Sequence, residues 1–201
     1  MLLLLVTLAA PAPISAAETQ RVIMLGDSIT AGYGLPQQDA LPVRLQQALT
    51  ERGLNVEIEN AGVSGDTTAG GLSRLDWAVQ GEPDLVIVAL GGNDGLRGID
   101  PADTRRNMAG IVEKLSARGI PVLIAGMLAP PNMGGDYARD FNAIFPEVAE
   151  KYDATLYPFL LDGVAAEPEL NQPDGIHPNA EGAKIIAERM ATPVAEALEA
   201  S

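Results

Sequence analysis

The chain has a single histidine, His177, and no cysteine, which narrows the chemistry its side chains can perform. Without a thiol there is no cysteine nucleophile, no Cys-ligated zinc site, no iron–sulfur cluster and no disulfide framework. Covalent chemistry then falls to a hydroxyl, and a hydroxyl needs a general base to take its proton. Any Ser-His mechanism must therefore use His177. Asp174 lies three residues upstream in Asp174-Gly175-Ile176-His177-Pro178, close enough to orient the ring if the loop folds back. Of the six serines, Ser15 lies in an apolar N-terminal segment, Ser73 and Ser116 fall in expected helices, and Ser201 is the last residue. Ser28 and Ser64 remain. Ser64, in Gly62-Val63-Ser64-Gly65-Asp66, misses the Gly-x-Ser-x-Gly elbow at its last position, so an α/β-hydrolase reading fails. Ser28 follows an apolar run directly and precedes a helical turn, so its backbone N–H can also point at a bound anionic oxygen. Ser28 is the better nucleophile. Acyl transfer further requires donors aimed at the developing oxyanion, and Gly65 through its backbone N–H and Asn93 through its carboxamide are the candidates.

These groups have to be held by the surrounding elements. Short apolar runs predict strands over 22–25, 56–59, 85–90, 122–125 and 155–157, and amphipathic stretches predict helices near 40–52, 70–80, 102–118, 138–151 and 180–199. The run Leu85 to Leu90 does not alternate with polar residues, which marks a strand covered on both faces of a parallel sheet. Asp100, Pro101 and Asp103 form a helix start, and Gly119 with Pro121 stops that helix. Five strand-helix units in this order predict an α/β, three-layer doubly wound fold with a five-stranded parallel sheet, because parallel neighbours need crossover helices. In such sheets ligands bind at the carboxyl ends of the strands. Ser28, Gly65, Asn93 and His177 all fall in segments that come directly after strands, and this convergence raises each above its ordinary reading as a turn or surface residue.

Gly26-Asp27-Ser28-Ile29, Gly65, Gly91-Gly92-Asn93-Asp94 and Asp174-Gly175-Ile176-His177-Pro178, in this order over roughly residues 22–190, resemble the four blocks of the SGNH, or GDSL-type, hydrolase family. Gly26 to Leu35, Ser64 to Thr67 and Tyr157-Pro158-Phe159 are similar to its bacterial arylesterase, thioesterase I and lysophospholipase L1 branch. The resemblance implies a flavodoxin-like fold, Ser28 as nucleophile, His177 as base and Asp174 as its orienter. It also implies an oxyanion hole made of the Ser28 and Gly65 backbone N–H groups and the Asn93 side chain, with no metal or cofactor. The implied activity is serine-dependent hydrolysis of short- to medium-chain acyl esters. An acyl thioesterase, a lysophospholipase and a carbohydrate deacetylase are alternatives, and a non-catalytic small-ligand binding domain is the alternative from another class.

With 13 Lys+Arg against 27 Asp+Glu, the net charge of −14 repels phosphate backbones and anionic headgroups, so nucleic acid is not an expected partner. At 47% hydrophobic and 20% charged, the composition is that of a folded domain rather than a disordered chain. The run Leu2 to Ala10 is too short for a membrane span of about 20 residues. Followed by Pro11, Pro13, Ser15, Ala16 and Ala17, it reads as a secretory signal over 1–17 with cleavage after Ala17, although Met1 brings no basic n-region. Residues 18–201 then form one domain, a periplasmic or secreted monomer or weak dimer. Leu75 and Trp77 are assigned to the core, and Asp136 and Asp140 to a solvated helix start rather than a carboxylate pair. The Pro130 to Gly135 loop, carrying Met133, either shapes the acyl pocket or simply connects two elements.

Overall fold

The computed structural model describes residues 18–200; the signal expected over 1–17 lies outside them. Five strands, β1 (Gln20–Gly26), β2 (Val56–Gly62), β3 (Leu85–Ala89), β4 (Val122–Ala125) and β5 (Thr155–Tyr157), form one parallel sheet in the order β2-β1-β3-β4-β5. Every residue of β3 is buried, as a strand covered on both faces requires. β2 is an edge strand and turns Glu57 and Glu59 to solvent, which blunts the edge against pairing with another chain. In register, Gly26 of β1 stands opposite Gly62 of β2 and Ala89 of β3. Three adjacent strands therefore end level, and the segments leaving them gather on one edge of the sheet.

The helices are α1 (Ser28–Ala31), α2 (Leu41–Glu51), α3 (Thr68–Ala78), α4 (Gly92–Leu96), α5 (Pro101–Ala117), α6 (Gly135–Asn142), α7 (Ile144–Tyr152) and α8 (Ala180–Glu199). α2 and α8 pack together on one side of the sheet, and α3, α5 and α7 form the layer on the other. This is the three-layer doubly wound arrangement of the flavodoxin-like class, whose chain direction across the sheet reverses between β1 and β3. Asp100 caps α5 by accepting from the Ala102 N–H at 2.9 Å, with Pro101 as the first helical residue.

Three sequence expectations need correction. The helix expected over 138–151 is two helices, α6 and α7, that break at Ala143. The reason is Pro146, which has no N–H to donate to the carbonyl of Asn142 and whose ring would press against it. Leu75 is buried, but Trp77 is 72% exposed. Residues two apart on a helix do not share a face, so both could not have entered the core. β1 and β2 also extend further than their apolar runs, through Gly26 and Gly62, because ladder pairing continues past the last bulky residue.

Candidate active site

β1 passes into α1 over Gly26. A Cβ there would lie 2.0 Å from Thr30 Oγ1 and 3.0 Å from the Ala89 carbonyl, so only glycine lets strand and helix approach this closely. Asp27 caps the turn, its Oδ1 accepting from the Ile29 N–H at 3.0 Å. Ser28 is thereby the first residue of α1, a position where helix geometry supplies its own N–H with no acceptor.

Ser28 and His177, 149 residues apart in sequence, meet across the sheet edge. The Asp174 carboxylate folds back over its own loop, Oδ1 accepting from the N–H groups of Ile176 (2.9 Å) and His177 (3.0 Å). Its Oδ2 accepts from His177 Nδ1 at 2.7 Å. With the proton on Nδ1, Nε2 is left to accept from Ser28 Oγ at 2.9 Å. The hydroxyl can thus pass its proton to the ring as its oxygen attacks. The backbone donors of His177 and Ile176, with the imidazole, stabilise the charged form of Asp174 and lower its pKa to about 2. Tyr33 covers the imidazole with ring centroids 4.7 Å apart. Gln172 ties the two loops together, its Nε2 donating to the carbonyls of Tyr33 (2.7 Å) and Pro178 (3.0 Å).

Asn93 sits in α4 at the end of β3, and its Nδ2 donates to Asp27 Oδ2 at 3.2 Å. The next residue, Asp94, is wholly buried and pins α4 to its neighbours: it accepts from the Thr68 N–H at 2.9 Å and from the hydroxyls of Thr68 and Thr104 at 2.5 and 3.3 Å. Gly65 lies on the turn after β2 with φ +81°, a conformation L side chains rarely adopt, and its carbonyl accepts from Arg97 Nη2 at 2.7 Å. Arg74 ties the ends of β1 and β2, donating to Asp66 Oδ2 (2.7 Å), the Ala61 carbonyl (2.9 Å) and the Gly26 carbonyl (3.0 Å). Burial raises the pKa of Asp27 to about 6, against the Ile29 N–H, the nearby His177 and the Asn93 amide, which all favour its charged form.

A cavity of about 470 Å³ opens beside these groups, and its wall includes Ser28, Asn93 and His177. Gly65 lies outside that wall. The remaining lining is mostly apolar, with Leu96, Leu128 and Ile176 each about half exposed at the rim. Pro130 and Pro131 belong to the wall and Met133 does not, so part of the Pro-rich loop shapes the cavity. Ser64 is exposed on the turn that carries Gly65. Asp136 and Asp140 both pair with Arg139, at 2.8 and 3.0 Å, instead of with each other. Sequence reasoning assigns no role to Asp27, Arg74, Asp94 or Gln172. Only Asp27 carries a signal there, as a charge set directly after a strand with no polar residue in its last four positions before Gly26.

The family model for the GDSL-like lipase/acylhydrolase family matches residues 24–185. Esterase TesA of Pseudomonas aeruginosa is 42% identical over 163 residues, 81% of each chain. The arylesterase of Vibrio mimicus is 39% identical over 174 residues, covering 86% of this chain and 87% of its own. Thioesterase 1/protease 1/lysophospholipase L1 of Escherichia coli is 37% identical over 177 residues, 88% of this chain and 84% of its own. The crystal structure of AlinE4, an SGNH-hydrolase family esterase, superposes with a TM-score of 0.77 at 48% identity, covering 92% of this chain and 99% of that one.

Proposed function

The chain belongs to the GDSL-like lipase/acylhydrolase family, and from that premise we propose that it hydrolyses carboxylic esters through an acyl-enzyme on Ser28. The observation that carries this reading is the continuous relay from Ser28 Oγ through His177 to Asp174, at 2.9 and 2.7 Å. In the first half-reaction, Ser28 Oγ bonds to the ester carbonyl carbon while its proton moves to His177 Nε2. The carbonyl oxygen becomes an oxyanion that accepts from the Ser28 and Gly65 backbone N–H groups and from Asn93 Nδ2. The C–O bond to the alcohol then breaks and the alcohol leaves with the proton from Nε2. In the second half, water gives a proton to Nε2 as its oxygen attacks the acyl carbon; the bond from that carbon to Ser28 Oγ then breaks, Oγ takes the proton back from Nε2, and the acid leaves. Asp174 stays ionised throughout and stabilises the imidazolium.

The apolar cavity suits short- to medium-chain acyl groups. The half-exposed Leu96, Leu128 and Ile176 at its open rim favour, as a second reading, longer chains such as those of fatty thioesters or lysophospholipids. A series of p-nitrophenyl esters from acetate to palmitate, assayed beside acyl-CoA thioesters, is expected to show faster turnover of the oxygen esters with an optimum at or below medium length. A fluorophosphonate is expected to label Ser28 with one adduct per chain. A chain that neither turns over any ester nor takes up the label would be a binding module and would overturn the assignment.

We also propose that the enzyme is exported. The run Leu2 to Ala10 and the small residues after it support this. N-terminal sequencing of protein from the periplasm or medium is expected to begin near Glu18, and an intact Met1 confined to the cytosol would count against export.

A further inference from the structure

We propose that Asp27 is a positioning residue that orients the carboxamide of Asn93, so that its nitrogen and not its oxygen faces the reacting carbonyl. This rests on the reading of Asn93 as an oxyanion donor. Asp27 is only 2% exposed, and charged side chains are rarely so buried without a partner of opposite charge. Its carboxylate oxygens are met instead by neutral donors, Oδ1 by the Ile29 N–H and Oδ2 by Asn93 Nδ2. The first bond caps α1. The second has no part in the proton relay, whose members bond to one another.

The two ends of a carboxamide are alike in size, so packing alone does not choose between them; the choice is made by what each end can bond to. A carboxylate only accepts. It therefore selects Nδ2, takes one of the two Nδ2 hydrogens and leaves the other for the oxyanion. The backbone around Asn93 has little freedom of its own. A Cβ on Gly92 would lie 3.3 Å from Asp27 Oδ2, so the preceding peptide closes over the carboxylate, while Asp94 is anchored to Thr68 and Thr104 on α3 and α5. What is left to Asn93 is rotation of its side chain, and that is the motion Asp27 restrains.

The test is a double-mutant cycle of Asp27→Asn and Asn93→Ala. Asp27→Asn keeps the shape and can still accept from Ile29, but sets an NH₂ against Asn93 Nδ2. Asn93 then turns its oxygen inward, against the developing negative charge. Asn93→Ala is expected to lower kcat by about 10² to 10³ with little change in KM, and Asp27→Asn by a similar factor. In the Asn93→Ala background the Asp27→Asn change is expected to cost less than about threefold, because no carboxamide remains to orient. If Asn93→Ala slows turnover and Asp27→Asn does not, the positioning role is wrong. A cost for Asp27→Asn that persists undiminished beside Asn93→Ala overturns it as well. Unchanged kcat in Asn93→Ala alone would remove the oxyanion reading beneath it. A readout that needs no variant is the Asn93 Nδ2H₂ pair in the NMR spectrum of the wild-type protein: one of its two protons is expected to be shifted downfield and protected from exchange, and two equally exposed protons would overturn the proposal.

Discussion

Ser28→Ala is expected to lower kcat by about 10⁴-fold or more while leaving KM and the melting temperature near wild type. Ser28 Oγ is the atom that accepts the acyl group, and its hydrogen bond is to His177 Nε2 at 2.9 Å, so removing it deletes the nucleophile without uncovering a buried polar partner. The imidazole of His177 stays bonded to Asp174 and borders the open cavity, where water can take the vacated place. Residual activity would come from water attacking an ester held by the same cleft. Ser64→Ala provides the contrast: that hydroxyl is exposed on the turn after β2, and its loss is expected to change kcat by less than about threefold. Measured side by side on one p-nitrophenyl ester, comparable losses at both positions, or a deep loss at Ser64 alone, would sink the assignment of the nucleophile.

Asp174→Asn is expected to be the next most damaging change, with kcat reduced by up to about 10⁴ and the fold intact. The amide oxygen of an asparagine can still accept from the Ile176 and His177 N–H groups, so the loop keeps its turn. Its nitrogen, however, would face His177 Nδ1 as a donor. The ring responds by carrying its proton on Nε2, the atom that has to receive the proton of Ser28. Asp174 keeps its charge down to pH of about 2, so this carboxyl does not titrate within the acid limb of the wild-type pH profile. Near-normal kcat would mean that another group orients His177 and that the site is a dyad.

The parts of this molecule legible in its sequence are those decided within a few residues. The non-alternating run at Leu85 announces a doubly covered strand, Asp100 with Pro101 announces a helix start, and a lone His177 with Asp174 three residues away limits where a base can be. What was not legible depends on contacts between distant segments. Gln172 reaches the carbonyl of Tyr33, 139 residues away, and Arg74 reaches Gly26, 48 residues away. Neither side chain differs in sequence from an ordinary surface residue. Pro146 was visible and its effect local, yet the apolar period of 138–151 continues across the break, and the period alone predicts one helix where there are two. Trp77 shows the reverse error: the sequence reading treats it as sharing a helix face with Leu75 and places both in the core, whereas residues two apart on a helix face different ways.

Asp27 also weighs on the folding free energy of the whole chain. In an open chain its carboxyl titrates near 3.8, and in the fold near 6, where burial outweighs the help it receives from Ile29, His177 and Asn93 while Asp66 adds repulsion. Between those values the native state holds more protons than the unfolded chain, so stability is lost as pH rises through the window. Well above pH 6 the charge is fully formed and costs about 3 kcal/mol. That is a large fraction of the roughly 5–15 kcal/mol by which a domain is ordinarily stable, and the buried sheet has to offset it. Mild acid therefore relieves the fold of this cost and, by putting a proton on the carboxyl, ends the acceptor-only character that selects the Asn93 nitrogen. At this one carboxyl, conditions that favour folding and conditions that favour turnover lie on opposite sides of the same titration.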